Sequence, residues 1–386
     1  MSISHYLKPV DVKSFSKGKE FAETQWGNCL KFEVEDFSVI DVAIFDVAED
    51  RGSISNKGCA KAGDSIREYF YSLYRGDYVA KVADLGTIEA GNTISDTYFA
   101  VQETIAFLLS ENVIPIIIGG SQDISFANYT AYGKQEQTVN LVSIDARFGL
   151  GKTDDVINSD NYLSKILFHQ PNCLFNYSNI GFQSYLVDQK ERALLEELFY
   201  DIYRLGVVKE DLKFAEPIIR NADFISFNMS AVAQAYAPAN RNASANGFTG
   251  EQACQLAKYA GMNDKLSSFS IYEYNPELAD QGMTAQLIAQ MIWYFIDGVY
   301  HRKGDFPVAN KNQYTKYNVS NKNHKEELVF YKSAKTDRWW MEVPYYNSGF
   351  NKYARHLMLP CNYEEYLVAT NDEIPERWFQ TFKKLK

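Results

Sequence analysis

The sequence predicts a large α/β domain built on a doubly wound, mostly parallel β-sheet, with an aromatic-rich extension at its C-terminal end. Segments of strand character alternate with amphipathic helical segments along about 260 of the 386 residues, which is typical of parallel sheets flanked by helices. Several strand-like segments are apolar without interruption, as expected for strands covered on both faces. A content of 46% hydrophobic and 23% charged residues is ordinary for a globular protein with a core.

The first half of this domain is predicted to contain, in order, a strand at 39–47, a helix at 61–74, a strand at 78–86, a helix at 95–113 and a strand at 113–120. Enrichment in valine, isoleucine and phenylalanine indicates the strands, and an apolar stripe indicates the helices. Ser95 or Asp96 is expected to cap the longer helix. Gly119 and Gly120 predict a tight turn rather than a phosphate cradle, because no GxGxxG motif or Walker lysine accompanies them.

The second half repeats the alternation, with strands predicted at 140–147, 174–182, 222–230 and 266–275 and helices at 188–205, 249–262 and 283–298. These segments predict a main domain over 39–301, preceded by an irregular N-terminal arm over 1–38. No repeat of fixed period is visible in the chain.

The composition changes after residue 301. Residues 302–386 carry a net charge of +5 against −15 for the rest of the chain, and they hold 16 aromatic residues, including three of the five tryptophans. This content is too aromatic for a disordered tail. We therefore predict a folded extension that packs on the main domain or on a neighbouring subunit, with a hairpin within 329–345.

Charge and motif content exclude several classes of function. The net charge of −10 argues against nucleic acid or an anionic membrane as a partner, since both attract a positive protein surface. The first 15 residues contain no apolar signal core, and the five cysteines form no CxxC pair. We therefore expect reduced thiols and a cytoplasmic location. The five histidines show no HExxH spacing, which argues against a zinc site.

Polar side chains follow four of the predicted strands. They lie in the segments 119–123 (GGSQD), 145–149 (DARFG), 228–230 (NMS) and 273–276 (EYNP). Ligands of open parallel sheets bind at the carboxyl ends of the strands. We therefore expect the functional site of this protein at that edge.

The order and spacing of these segments resemble the ureohydrolase family, which includes arginase, agmatinase and formiminoglutamase, and the formiminoglutamase branch in particular. The resembling stretches are NKGCAKAGDSIREYFY (56–71), ADLG (83–86), PIIIGG (115–120), SIDA (143–146), 226–249 and 272–298. The resemblance covers about residues 40–300. It implies a three-layer α/β/α arginase-like fold, assembly into homo-oligomers, and two Mn(II) ions whose bridging hydroxide attacks a guanidinium or formimino carbon.

The resemblance also implies that this chain departs from the family at the metal positions. The family binds its metals through GGDHS, DAHxD and DxD loops. At the six corresponding ligand positions this sequence has Gln122, Asp145, Arg147, Gly149, Asn228 and Ser230. Only Asp145 is retained, and amide, hydroxyl and guanidinium groups are poor ligands for a divalent ion. We therefore expect no metal cofactor, or Mn(II) only if the protein is a working hydrolase.

Glu273 matches the family glutamate that contacts the substrate. Together with Gln122, Asp145, Arg147, Asn228 and Ser230, it is a candidate for binding a small cationic or amidine ligand. The alternatives are a structural role for both carboxylates and a satisfied polar network in a filled cavity. One further hypothesis places the Arg147 cation where a metal charge stood, paired with Asp145 or Glu273.

Three functions are compatible with these residues. The leading hypothesis is a ureohydrolase-like protein that has lost the manganese site and binds or regulates without catalysis. The alternative is a C–N hydrolase with a divergent site built on Asp145 and Glu273, with Asp123 and the pair Asp154 and Asp155 as further candidates. A third is a structural component of an oligomer, held together through the aromatic extension.

Overall fold

The computed structural model describes residues 3–79, 81–135, 138–153, 155–307, 311–322, 327–346 and 353–386. Its main sheet has eight strands in the order β2-β1-β3-β8-β7-β4-β5-β6, and every neighbouring pair is parallel. The strands are β1 (Val42–Ala48), β2 (Val82–Glu89), β3 (Ile114–Ile118), β4 (Val139–Ile144), β5 (Leu174–Phe182), β6 (Asp201–Arg204), β7 (Phe224–Asn228) and β8 (Ser268–Tyr272). The predicted parallel sheet is therefore confirmed, and the edge strand β6 was not predicted.

Helices cover both faces of this sheet, which confirms the three-layer α/β/α fold. The helices, in chain order, are α1 (Val12–Phe15), α2 (Trp26–Cys29), α3 (Ala62–Phe70), α4 (Ile94–Ser110), α5 (Ile124–Gly133), α6 (Tyr162–Phe168), α7 (Gln189–Glu197), α8 (Leu205–Glu210), α9 (Ala215–Arg220), α10 (Gly250–Gly261) and α11 (Met283–Tyr300). One large core packs α3 and α8 to α11 against the sheet. Two smaller cores pack α4, α5 and α6 on the opposite face. Continuous burial of β3, β4, β7 and β8 follows from this double cover.

The cap of α4 differs from the prediction. Thr93, not Ser95 or Asp96, is the N-cap residue, and its side chain accepts a hydrogen bond from the Asp96 amide. Asp96 bonds back to the Thr93 amide and completes a capping box. The helix therefore starts earlier in the chain than its apolar stripe suggests.

The N-terminal arm contains short helical turns and is tied to the main domain at Trp26. This side chain is fully buried and its ring stacks on Phe70 of α3, with the centroids 5.3 Å apart. Within the described ranges, none of the helices has the length and apolarity needed to cross a membrane.

The C-terminal extension forms a four-stranded antiparallel sheet in the order β12-β11-β10-β9. Its elements are β9 (Tyr314–Val319), β10 (Leu328–Ser333), β11 (Trp339–Glu342), β12 (Met358–Cys361) and two helices, α12 (Tyr363–Thr370) and α13 (Glu376–Leu385). The hairpin predicted within 329–345 corresponds to β10 and β11. Trp378 and Phe382 of α13 fill the space between the helices and one face of this sheet.

The opposite face of the small sheet lies against the main domain of the same chain. The buried Arg220 guanidinium at the end of α9 stacks 4.6 Å from the Trp340 ring centroid and donates to the carbonyl oxygens of Trp339 and Cys361. A second contact is the ion pair of Arg355 with the buried Asp223, 2.6 Å long. The positive extension therefore meets the negative main domain partly through charge pairs.

Candidate functional site

The four polar segments predicted from the sequence meet at one edge of the main sheet. They follow β3, β8, β7 and β4, which are consecutive neighbours in the sheet order. Because the four strands are parallel, their carboxyl ends face the same way. The sheet topology therefore brings together residues far apart in the chain, such as Gln122 and Glu273, which are separated by 151 positions.

The turn after β3 depends on its two glycines. A Cβ atom at Gly119 would collide with the Tyr272 ring, and one at Gly120 would collide with the Glu49 carbonyl oxygen. The backbone can follow this path only if both positions are glycine. The glycines thus place Gln122 at the sheet edge, and the prediction of a tight turn between strand and helix is confirmed.

A cavity of about 470 Å³ opens at this edge. It is lined by the six positions that the resemblance assigns to metal ligands and by Glu273. These are Gln122, Asp145, Arg147, Gly149, Asn228, Ser230 and Glu273, and the other lining residues are Ile54, Ser55, Phe148, Leu150, Gly151, Ser159, Asp160, Leu186, Asp188, Glu191 and Asn242. The positions that correspond to the family's metal ligands therefore share one cavity in this chain.

Asp145 lies at the centre of a closed hydrogen-bond network. Its Oδ1 accepts from the Ser230 hydroxyl at 2.9 Å and from the Arg147 amide at 3.1 Å. Its Oδ2 accepts from Nδ2 of Asn228 at 3.2 Å. Asn228 Nδ2 also donates to Gln122 Oε1. All of these donors are uncharged groups, so the carboxylate is satisfied without a cation.

Gln122 joins this network to Glu273. Its backbone amide donates to Glu273 Oε1 at 3.0 Å, and its side-chain Nε2 donates to the Tyr162 hydroxyl at 3.1 Å. Asn56 donates from Nδ2 to Glu273 Oε2 at 2.9 Å. Each oxygen of the Glu273 carboxyl group therefore has a donor, again uncharged.

Burial dominates the electrostatics of both carboxyl groups. It raises the pKa of Asp145, against the lowering effect of its hydrogen-bond donors. It raises the pKa of Glu273 to about 7, and the nearby Asp123 and Asp145 add to the rise. A carboxyl group that titrates near neutral pH at a cavity wall is suited to binding a cation or exchanging a proton.

The Arg147 guanidinium does not contact either carboxylate directly among the described residues, and its pairing with them through water stays a prediction. The main-chain amide of this residue binds Asp145, but among the described residues its guanidinium forms no ion pair with Asp145 or Glu273. The positive charge only helps to lower the pKa of Asp145. Arg147 is half-buried and lines the cavity.

Gly149 adopts a backbone conformation that suits glycine. Its φ is +74°, and a Cβ atom there would collide with the Tyr162 ring. Tyr162 is fully buried, and its hydroxyl accepts from Gln122 and contacts Ser143 at 3.2 Å. The loop after β4 is therefore packed around a tyrosine at the position where the resemblance implies an aspartate.

Several residues of the site were missed by sequence reasoning. Asn56 begins the NKGCAKAG stretch of the family resemblance, and that stretch was the signal that could have identified it. Asp160, Asp188 and Glu191 place three carboxylates at the cavity. Burial, with Asp188 and Asp160 adding to it, raises the pKa of Glu191. These acids come from loops and a helix start that no strand pattern identifies.

The other candidates for a divergent site do not line the cavity. Asp123 is fully buried at the start of α5 and accepts a hydrogen bond from the Tyr98 hydroxyl. It is absent from the cavity lining, although its charge contributes to the raised pKa of Glu273, and its part in a divergent site stays a prediction. Asp155 is exposed, and Asp154 lies outside the described residues.

Comparison with known proteins agrees with the fold. Residues 40–297 match the profile of the arginase family. A formimidoylglutamase of Staphylococcus aureus is 26% identical over 269 residues, which is 66% of this chain and 85% of the relative.

Solved structures share the fold. A formimidoylglutamase of Bacillus subtilis superposes with a TM-score of 0.67 at 20% identity, over 74% of this chain and 95% of that chain. A Trypanosoma cruzi formiminoglutamase with Mn²⁺ gives 0.65 at 16% identity, over 72% of this chain and 99% of that chain. An agmatine ureohydrolase of Thermoplasma volcanium gives 0.60 at 23% identity, over 73% and 97%. The profile match and these likenesses confirm the predicted resemblance, and the chain belongs to the arginase family.

Proposed function

We propose that this arginase-family chain is a non-catalytic binding protein whose cavity takes a small amidinium or guanidinium ligand and holds no manganese pair. The observation that carries the proposal is the network around Asp145. In this network three neutral donors, from Arg147, Asn228 and Ser230, occupy the oxygens of the one carboxylate retained at the metal positions.

The residues present do not fit two Mn(II) ions. Manganese prefers carboxylate, imidazole and water ligands, and the six positions offer one carboxylate, two amides, a hydroxyl, a guanidinium and a glycine. Binding a metal at Asp145 would first break its bonds to Ser230 and Asn228. The nearby guanidinium of Arg147 would then repel the ion.

The backbone of the loop after β4 argues in the same direction. A metal-binding aspartate at position 149 would need a side chain at a φ of +74° and in the space of the Tyr162 ring. Restoring the lost ligand therefore requires rebuilding the loop as well as changing one residue. The packing of this loop is more consistent with a backbone that no longer accommodates a metal ligand than with an intact metal site that has lost one side chain.

Charge at the cavity favours a cationic ligand. Among the residues that the structure describes, five carboxyl groups line it, those of Asp145, Asp160, Asp188, Glu191 and Glu273, against one cation, that of Arg147. A planar amidinium or guanidinium can donate two parallel hydrogen bonds to a carboxylate. Placed beside Glu273, it would return the pKa of that group toward its ordinary value. The ligand would therefore gain both hydrogen bonds and charge pairing.

The metal content tests the first half of the proposal. The protein is purified in the presence of Mn(II), dialysed, and measured by elemental analysis. We expect well below one manganese per chain. A value near two per chain would refute the loss of the metal site.

Thermal denaturation with formamidinium, guanidinium and agmatine tests the second half. A ligand at about 100 times its Kd adds about 3 kcal/mol to the free energy of unfolding, so the melting temperature should rise, whereas neutral urea at equal concentration should not raise it. Glu273→Gln should abolish the rise, and Glu251→Gln, a change at an exposed position on α10, should retain it. If none of the cations stabilises the protein, or if both variants respond alike, the cavity has another ligand.

A second candidate function is metal-independent hydrolysis of an amidine C–N bond. The observation that favours it is Glu273, whose pKa of about 7 suits a general base near neutral pH. This function predicts release of ammonia from formamidine, and of urea or ammonia from agmatine according to which C–N bond breaks. The release should continue in a metal chelator and be lost in Glu273→Gln. No release above the uncatalysed rate would leave binding as the function.

A further inference from the structure

An aromatic pocket lies on the C-terminal extension, separate from the cavity of the main domain. It is lined by Tyr317, Lys332, Asp337, Trp339, Tyr363 and Tyr366. Trp339 is opposite Lys332 in the β10–β11 ladder, so both side chains leave the same face of the small sheet. Tyr363 and Tyr366 come from α12, which packs across the edge of that face.

The four rings contact one another along the wall of this pocket, and Tyr363 and Tyr366 stack with their centroids 5.7 Å apart at an interplanar angle of 26°. The Trp339 centroid is 5.0 to 5.6 Å from the centroids of the three tyrosines, with interplanar angles of 31° to 49°. Tyr363 remains half exposed. The faces of aromatic rings carry negative potential, and several tilted rings around one space attract a cation whose hydration shell is weak.

The pocket already holds a cation of its own. The Lys332 ammonium lies 5.8 Å from the centroid of the Trp339 ring and pairs with Asp337 at 2.9 Å. The Asp337 side chain is largely exposed, so its carboxylate stands at the rim. The aromatic rings and the carboxylate of Asp337 are therefore suited to a positively charged ligand.

We propose that the aromatic pocket of Tyr317, Trp339, Tyr363 and Tyr366 binds small quaternary ammonium compounds of the choline class. A methylated ammonium is larger and less hydrated than the lysine ammonium, so it loses less on leaving water and contacts more ring surface. The ligand displaces Lys332 from the ring face, and Asp337 remains at the rim to pair with the positive charge. This site is independent of the cavity at Asp145.

Isothermal titration calorimetry of the full chain with choline chloride tests the proposal. Saturable binding is expected, with clearly weaker binding of 3,3-dimethylbutan-1-ol, the neutral analogue of the same shape. Tyr363→Ala, at a half-exposed position that should not affect folding, should weaken choline binding between about twofold and thirtyfold. Tyr294→Ala, on α11 outside the pocket, should leave it unchanged.

A second variant separates ring binding from a general surface effect. Lys332→Gln frees the face of Trp339 and should strengthen choline binding. The proposal is overturned if choline does not bind, if the neutral analogue binds equally well, if Tyr363→Ala binds as the wild type does, or if Lys332→Gln weakens binding.

Discussion

Glu273 should make the stability of this protein depend on pH. Its folded pKa is about 7 against an ordinary value of 4.5, because the carboxyl group is buried. Between these values the folded state retains a proton that the unfolded chain has released. The free energy of unfolding therefore falls as the pH rises through this window and levels off above about pH 7.

The magnitude follows from the difference between the two pKa values. Each pH unit is worth about 1.4 kcal/mol, so Glu273 should contribute about 2 to 3 kcal/mol of lost stability between about pH 5 and about pH 8. Glu273→Gln removes this titration. At every pH the variant should have an unfolding free energy lowered by about 1 to 3 kcal/mol. The reason is that its amide NH₂ group must face one of two other donors, the Asn56 side chain or the Gln122 backbone amide.

The assay is urea denaturation of wild type and variant at a series of pH values. From about pH 5 to about pH 8 the wild type should lose about 2 to 3 kcal/mol of unfolding free energy relative to Glu273→Gln. The variant should therefore compare best with the wild type at high pH. Glu251→Gln, at an exposed position, should track the wild type. Parallel curves for wild type and Glu273→Gln would refute the argument that burial holds this carboxyl group neutral.

Three further predictions follow from buried polar groups. Asn228→Asp places a second carboxylate beside Asp145 and should lower the free energy of unfolding at neutral pH by about 3 kcal/mol; if the melting temperature does not fall, the network is looser than described. Arg220→Ala removes the stacked guanidinium that joins α9 of the main domain to the small sheet and should cost about 2 to 4 kcal/mol. Limited proteolysis should then cut near residue 302, and an uncut chain would count against this role. Asp84→Asn leaves the buried Arg67 with a weaker partner and should cost about 3 kcal/mol in urea titrations; a change below about 0.5 kcal/mol would contradict this.

The sequence predicted much of the main domain because local pattern and tertiary burial agree there. Uninterrupted apolar runs such as Ile114–Ile118 can be stable only between two layers of helices, so their composition already implies the fold. The edge strand β6 (Asp201–Arg204) escaped prediction because it is short and its burial is partial. The cap at Thr93 was missed because a threonine before an apolar stripe is a weaker signal than the acid inside it.

The sequence by itself determined the parallel sheet and its polar edge, because strand ends are local features of the chain, and its resemblance to the family assigned residues to the metal positions. Only the tertiary structure decided what those residues do together. It placed Ser230 and Asn228 on the carboxylate of Asp145 and left Arg147 without an ion pair to Asp145 or Glu273 among the described residues. It buried Asp123 against the Tyr98 hydroxyl, outside the cavity lining. Hydrogen-bond partners and pKa values depend on distances between residues far apart in the chain, and these distances exist only once the sheet has formed.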